Sequence, residues 1–236
     1  MPAELTLEGV FYKPGTFPLL RGIDLTVERG SIAVISGRSG CGKSSLLEIC
    51  AGLKRPDRGR VLWDATPVAS LSREALLAER LRIGYVFQQH ALISNYSIFE
   101  NIALPLRTKG TATEREIEIR VRQMMEEVAL FNVDREFPES LSVGQLRCAS
   151  IARALVTDPD LLFLDEPVSG QDPLTAEGIR RVLVHQQQQR ARTIVMISHD
   201  PDLWAPFSVR KLHLENGKLM PAAHASATTV TAGANE

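Results

Sequence analysis

Residues 37–44 (GRSGCGKS) most constrain the fold, because they follow an apolar, β-branched run and precede a helical one. They match G-x-x-x-x-G-K-[ST], the phosphate-binding P-loop. Glycines let the backbone curl so that successive N–H groups face one anion, and the following helix presents its positive end. Lys43 is predicted to reach the β- and γ-phosphates, and Ser44 to ligate Mg²⁺. The predicted phosphate-binding residues are Gly37, Arg38, Ser39, Gly40, Cys41, Gly42, Lys43, Ser44 and Ser45.

Four short apolar runs predict the strands of a core sheet: residues 31–36, 83–87, 161–164 and 193–198. Their near-continuous hydrophobicity is typical of strands buried on both faces. Helical patterns lie between them, such as residues 113–131, where Thr113 and Glu116 form a capping box. Strands that alternate with helices predict an α/β fold with a mostly parallel sheet.

We predict one domain over residues 1–220 and a tail over residues 221–236. The stretch over residues 5–27 carries turn signals and predicts antiparallel strands beside the core sheet. Residues 89–157 show no clear strand pattern and predict an inserted helical subdomain. The tail is small, polar and aperiodic, which is typical of disorder. The run HQQQQR at 185–190 is predicted to be a solvated helix end.

Each predicted core strand runs into a glycine or polar residue, namely Gly37, Gln88, the pair Asp165 and Glu166, and His199. Ligands of open α/β sheets bind at the carboxyl ends of the strands. The acidic pair after an apolar run has the form of a Walker B strand. We predict that Asp165 holds Mg²⁺ and that Glu166 polarises the attacking water as the general base.

Charge and cysteine content argue against several classes of protein. With 27 Lys and Arg against 28 Asp and Glu, no basic excess indicates nucleic acid, and we expect no nucleic-acid partner. Cys41, Cys50 and Cys148 are unclustered and suggest neither a disulfide framework nor a zinc site. The chain shows no signal peptide and no apolar run near the roughly 18 residues of a membrane span. We therefore expect a cytoplasmic location.

Residues 141–145 (LSVGQ), followed by IARAL at 151–155, resemble the signature motif of ABC ATPases, L-S-G-G-Q. The resemblance covers roughly residues 5–218. It implies a P-loop NTPase (RecA-like) core with an N-terminal antiparallel β subdomain and an inserted α-helical subdomain. It also implies hydrolysis of ATP with Mg²⁺. The implied catalytic residues are Glu166, His199 and Lys43, and the implied Mg²⁺ ligands are Ser44, Gln88 and Asp165.

The remaining family landmarks fall in order. Tyr12 resembles the aromatic residue that stacks on adenine, and Gln88 resembles the glutamine of the Q-loop. Asp172 lies where the D-loop is expected, and His199 resembles the switch histidine that contacts the γ-phosphate.

A helix that begins at Ser142 offers an anion site, yet the P-loop of the same chain already encloses phosphates. In the family two subunits pack head to tail, which implies a homodimer that sandwiches ATP. Ser142, Gly144 and Gln145 then complete the opposite site. The resemblance further implies an integral membrane permease as partner and a peripheral position on the inner face of the cell membrane.

Two positions depart from the family pattern. Val143 replaces the first signature glycine, and a β-branched residue does not readily adopt positive φ or leave the same space for a phosphate. We therefore expect reduced or differently regulated hydrolysis. Cys148 stands where the family commonly has arginine, and the resemblance predicts no consequence for it.

The D-loop at 170–173 (GQDP) and residues 91–107 look like ATPases that drive MCE-type phospholipid transport, which implies lipid cargo and an MCE-type lipid-binding partner. Lipoprotein-release and cell-division ABC systems are alternatives. A soluble ABC ATPase acting on DNA or ribosomes is disfavoured, because residues 45–140 show no sustained heptad and the chain holds one cassette. A small-molecule kinase would share the P-loop alone.

Overall fold

The computed structural model describes residues 3–222. Its strands are β1 (Leu5–Tyr12), β2 (Leu20–Val27), β3 (Ile32–Ser36), β4 (Arg58–Trp63), β5 (Thr66–Pro67), β6 (Ile83–Val86), β7 (Leu161–Asp165), β8 (Thr193–Ile197), β9 (Val209–Glu215) and β10 (Lys218–Pro221). Its α-helices are α1 (Lys43–Cys50), α2 (Arg73–Arg80), α3 (Ile98–Lys109), α4 (Glu114–Glu127), α5 (Val143–Leu155) and α6 (Pro173–Arg190).

The strands form two sheets. The core sheet has the order β10-β9-β3-β8-β7-β6, and every pair in it is parallel except β10 with β9. The second sheet, in the order β2-β1-β4-β5, is antiparallel. The predicted α/β fold with a mostly parallel sheet and an N-terminal antiparallel unit is therefore confirmed.

The core sheet separates two hydrophobic clusters. Every residue of β3, β7 and β8 is buried. Along β3, Ile32 and Val34 pack into one cluster, whereas Ala33 and Ile35 pack into the other. Side chains of a strand alternate between the faces of its sheet, so both faces of these strands must be apolar.

Helices α3, α4 and α5 occupy the chain between β6 and β7, a described stretch that contains no strand. Thr113 and Glu116 form the predicted capping box at the start of α4. Ile117, Val121, Met124 and Met125 recur at helical spacing and are buried against α3 and α5. This helical layer holds the signature segment beside the core sheet.

The run at 185–190 ends α6, as predicted, and four of its six residues are exposed, but the prediction of a solvated face was wrong for two glutamines. Gln186 is 4% exposed and its Nε2 donates to Glu127 Oε2 at 2.7 Å. Gln187 Nε2 donates to the Gly30 carbonyl at 2.6 Å. The helix end therefore packs on α4 and on the turn before β3.

The predicted tail falls largely on residues 223–236, which lie outside the described residues, as do residues 1 and 2. Pro221, placed at the start of that tail, instead ends β10 and pairs with Leu212. Within residues 3–222, no helix combines the length and apolar character needed to cross a bilayer.

Candidate functional site

The loop between β3 and α1 is shaped by its glycines. Gly37 has φ 150°, and a Cβ there would lie 2.4 Å from the Leu214 carbonyl oxygen of β9. Gly42, with φ 105°, caps the N-terminus of α1. A side chain at Gly37 would push the loop off the sheet, so glycine is required at the point where the chain leaves β3.

Lys43 holds this loop in its curled form. Its side chain is largely buried, and Nζ donates to the carbonyls of Gly37 at 2.7 Å and Arg38 at 3.0 Å. The ammonium group thus lies inside the ring of the loop. When a phosphate binds there, Lys43 can leave the two carbonyl oxygens and donate to the phosphate oxygens, which are charged and therefore stronger acceptors.

The carboxyl ends of β6, β7 and β8 meet the loop in a cleft of about 260 Å³. The cleft contains most of the predicted phosphate-binding residues and the polar residues predicted after the strands. Leu19 and Ile197, which the sequence did not single out, form its apolar wall. Its lining residues are Leu19, Ser39, Gly40, Gly42, Lys43, Ser44, Ser45, Gln88, Asp165, Glu166, Ile197 and His199.

Asp165 and Glu166 face different partners. Asp165 ends β7, is 5% exposed and is hydrogen-bonded to the Ser44 side chain. Glu166 follows with φ 54° and is equally buried. Its Oε1 lies 3.1 Å from His199 Nε2, and the His199 backbone N–H donates to its Oε2 at 3.4 Å. The turn at Glu166 therefore aims one carboxylate at the P-loop and the other at the histidine.

Burial raises the pKa of both carboxyl groups above their ordinary values. For Asp165 the hydrogen bond from Ser44 opposes this rise. For Glu166 the charges of His199 and Lys43 lower the pKa in part. A raised pKa makes the Glu166 carboxylate a better proton acceptor than an exposed one.

The cleft fits a magnesium ion by its donor chemistry. The Ser44 hydroxyl, the Asp165 carboxylate and the Gln88 side chain line one cavity, and Mg²⁺ prefers such oxygen ligands. Within residues 3–222, no cluster of three His, Cys, Asp or Glu side chains could hold a metal by itself. A site with few protein ligands is suited to Mg²⁺, because this ion takes its remaining ligands from phosphates and water.

The signature segment forms the start of α5. Ser142 is the N-cap: its Oγ accepts from the Gln145 N–H at 3.2 Å, and its own N–H donates to Gln145 Oε1 at 2.9 Å. The hydroxyl proton of Ser142 is free to donate outward, and the first-turn N–H groups of Val143 and Gly144 have no intrahelical partner. This helix end can receive an anion, and Gln145 serves to cap it.

The signature residues line a second cavity of about 560 Å³ with the D-loop, and none of them lines the P-loop cleft. Gly144 approaches the D-loop and α6 closely, since a Cβ there would lie 3.2 Å from Gln171 Oε1 and 3.2 Å from Thr175 Cγ2. Asp172 caps α6 by accepting from the N–H groups of Leu174 and Thr175, and its hydrogen bonds to Thr175 lower its pKa. Most of the predicted nucleotide-binding residues thus fall into two separate groups.

The structure corrects the conformational argument about Val143. Val143 is the first residue of α5 and is not among the non-glycine residues with positive φ. A valine therefore causes no backbone strain, and that half of the reasoning was wrong. Its side chain is 58% exposed at the helix N-terminus, so the steric half stays a prediction.

Other residues that were predicted to bind nucleotide lie outside the lining of the P-loop cleft. Tyr12 ends β1, packs partly against the core and accepts from Leu19 N–H at 2.8 Å, but it does not line the cleft. Gly37, Arg38 and Cys41 also lie outside its lining. Cys148 packs against the core, and burial raises its pKa to about 11.

The sequence reasoning missed Arg147, which is 4% exposed and donates to the carbonyls of Phe87 and Gln88. The available signal was an arginine within the apolar face of a helix, where a charge is costly to bury.

The structure combines a P-loop, a Walker B strand and an inserted helical layer that contains the signature helix α5. These features together define an ABC-type ATPase cassette. Comparison with known proteins agrees, since the family model described as ABC transporter matches residues 20–169. The chain belongs to the ABC transporter family.

Similar proteins include Methionine import ATP-binding protein MetN 2 of Rhodococcus jostii (strain RHA1), 38% identical over 205 residues, which cover 87% of this chain and 60% of that protein. MetN 1 of Listeria innocua is 37% identical over the same shares. The chain thus spans about 60% of the length of the curated relatives it matches. These names give no support to the expected phospholipid cargo or MCE-type partner.

Solved structures show the same fold. The dimeric structure of MJ0796, a bacterial ABC transporter cassette, superposes with a TM-score of 0.85 at 29% identity and covers 93% of this chain and 99% of that chain. The same TM-score and shares are found for a dimeric post-hydrolysis state of MJ0796 bound to ADP and Pi, at 30% identity.

Proposed function

We propose that this chain binds ATP with Mg²⁺ in the P-loop cleft and hydrolyses it as a head-to-tail homodimer that energises an integral membrane permease. The observation that carries the proposal is Glu166, a buried carboxylate that faces His199 beside the P-loop cleft.

Each side chain has a defined task in this proposal. Lys43 leaves the carbonyls of Gly37 and Arg38 and binds the β- and γ-phosphates. Ser44, Gln88 and Asp165 hold Mg²⁺, which neutralises phosphate charge when bound. Glu166 accepts the proton of the attacking water, and His199 contacts the γ-phosphate and keeps the Glu166 carboxylate aimed at the cleft.

Dimerisation is supported by the separation of the two groups of residues. Ser142 and the first-turn N–H groups of α5 can bind an anion, but they line a different cavity from the P-loop. A second copy in head-to-tail orientation supplies the missing half of each site. The dimeric form of the similar MJ0796 cassette supports this arrangement. We place Tyr12 near adenine, because its carbonyl accepts from the N–H of Leu19, which lines the cleft.

The permease partner is supported by relatives named for methionine import. Those names favour small-solute import as the process. The hypothesis of phospholipid cargo is supported only by residues 91–107 and 170–173. The alternative of lipoprotein release has no better support. Copurification of the tagged chain from native membranes, with mass spectrometry of the bound permease, decides between them. A permease with a lipid-binding partner supports lipid transport; one with a solute-binding partner refutes it.

The test of hydrolysis is Glu166→Gln, with Glu126→Gln on the exposed face of α4 as matched control. Glutamine keeps the volume of Glu166 but cannot accept the proton, so phosphate release should fall by about 10²–10⁴-fold. The control should hydrolyse ATP at the parental rate. In size-exclusion chromatography with ATP, Glu166→Gln should elute as a dimer. Parental turnover in Glu166→Gln would refute its assigned role, and a monomer under ATP would refute the sandwich.

A further inference from the structure

A cavity of about 560 Å³ lies between the signature helix α5 and α6, and we call it the α5–α6 cavity. It extends from the residues at the end of α4 to the signature turn, the D-loop and the first half of α6. Its volume falls within the range of about 300–1,000 Å³ that is usual for small-molecule sites. None of its lining residues lines the P-loop cleft, so a nucleotide in that cleft does not fill it.

The floor of the cavity is apolar. Ile151 of α5 and Ile179 of α6 line it, and both are buried in one of the two hydrophobic clusters. Val128 and Leu130, which follow α4, line the same floor and belong to the same cluster. A molecule in the cavity would extend this cluster and remove apolar surface from water, which is the main source of affinity for apolar ligands.

Two small residues keep the cavity open. Gly178 lies inside α6, and a Cβ added there would meet no atom within 4 Å. Glycine weakens a helix interior, and neither a positive φ nor a close contact requires it at this position. Cys148 lines the cavity from α5, at a position where the family commonly has the larger arginine. The space that larger side chains would occupy at both positions is therefore left to the cavity.

The lining carries two negative charges, and both are already balanced. Glu127 accepts from Gln186 Nε2 at 2.7 Å, and it also faces Arg190 and Arg192 in a neighbouring small cavity. Asp172 accepts from first-turn N–H groups of α6, and the positive end of a helix stabilises a carboxylate. A cationic ligand therefore finds no unpaired carboxylate among the described residues that line the cavity.

An anionic ligand has no charged partner there either. No lysine, arginine or histidine is among the described residues that line the cavity. The start of α5 can receive an anion, but in the proposed dimer it serves the nucleotide of the second copy. Burial raises the pKa of the Cys148 thiol to about 11, so the thiol is neutral at neutral pH and adds polarisable surface. The charge of the lining therefore favours an uncharged ligand.

We propose that the α5–α6 cavity binds an uncharged, largely apolar small molecule, and that this molecule inhibits ATP hydrolysis. The inhibition rests on the proposed function, because Ser142 and Gly144 line the cavity and must also meet the nucleotide of the second copy. A ligand between α5 and α6 would lie against this turn and against the exposed side chain of Leu174, and would hinder closure of the dimer. The binding site itself does not depend on the dimer.

Binding is measured first, with the nucleotide-free full chain and the uncharged fluorophore phenylnaphthylamine. The parent should show a saturable rise in fluorescence that corresponds to one site per chain. Gly178→Leu and Cys148→Phe fill the cavity from α6 and from α5, and each should weaken binding by about tenfold or more. Gly178→Ala and Cys148→Ser keep the space and should bind within about threefold of the parent.

The sulfonated analogue anilinonaphthalenesulfonate tests the charge of the ligand, because it has the same rings and one negative charge. It should bind more weakly by about tenfold or more, since the cavity would strip its charge of water without offering a cation. Gly178→Leu places its side chain in open space, so a parental or higher Tm certifies that its loss of binding is not unfolding.

Three results would overturn the site. They are the absence of saturable binding in the parent, parental binding in both filled variants, and binding of the sulfonate that equals or exceeds that of the uncharged fluorophore. The first two would mean that the cavity is not a binding site, and the third would mean that its ligand is not uncharged.

Inhibition is measured as phosphate release at saturating phenylnaphthylamine. Turnover of the parent should fall by about fivefold or more, whereas Gly178→Leu at the same fluorophore concentration should keep its own rate within about twofold. Full turnover of the parent with its site occupied would overturn the inhibition. A parent that neither hydrolyses ATP nor dimerises refutes the proposed function and the inhibition with it, while the binding measurement still decides the site.

Discussion

Two glycines of the P-loop make a matched pair for testing how the loop is built. Gly37 and Gly40 both have positive φ, 150° and 75°. An added Cβ at Gly40 meets nothing within 4 Å, whereas at Gly37 it would lie 2.4 Å from Leu214 O and 3.0 Å from Cys41 Sγ. Gly40→Ala therefore adds backbone strain alone, about 1–2 kcal/mol. Gly37→Ala adds comparable or larger strain, about 1–3 kcal/mol, and also forces the loop away from β9.

We expect Gly37→Ala to lower the free energy of unfolding by about 3 kcal/mol or more. For a domain of this length that corresponds to a fall in Tm of roughly 6–12 °C, against about 2–8 °C for Gly40→Ala. The assay is differential scanning calorimetry of nucleotide-free protein, with guanidinium unfolding as a second measure. If Gly37→Ala is no more destabilising than Gly40→Ala, contact with β9 does not determine the loop and the reasoning is refuted.

Two further predictions concern Val143 in the signature segment and Asn101 in α3. Val143→Gly should raise ATP turnover by freeing space at the helix N-terminus, and it should cost less than about 1 kcal/mol of stability because the side chain is exposed; unchanged turnover removes the steric argument. Asn101 is fully buried, accepts from Ile93 N–H at 2.7 Å and donates to three carbonyls of the loop at 93–97. Asn101→Ala should cost about 3 kcal/mol in urea unfolding, whereas exposed Thr108→Ala on the same helix should cost under about 1 kcal/mol; equal losses would contradict the role of Asn101.

Local chemistry explains what could be predicted. The curl at Gly37, the cap at Ser142 and the capping box at Thr113 depend on residues within a few positions of one another, so a short motif contains the information. The fully apolar runs likewise identify strands with two buried faces. From these the fold class and the residues at the carboxyl ends of the strands followed directly.

Longer-range packing produced one of the two differences, and a local cap that the prediction overlooked produced the other. Gln186 belongs to a polar run, yet it is buried because α6 lies against α4 and its amide reaches Glu127, 59 residues away. Val143 sits in a helix because Ser142 and Gln145 cap α5, which removes any need for positive φ. Neither outcome is encoded by the residue type at the position itself.

The sequence by itself determined the P-loop, the Walker B carboxylates, the signature helix and the α/β class, because each depends on local backbone geometry or on the period of hydrophobic residues. Only the tertiary structure decided which side chains share a cleft. It placed the signature away from the P-loop and bound Arg147 to carbonyls about 60 residues away. Such contacts depend on how a helix docks on the sheet, and a buried charge reveals its partner only when both are in place.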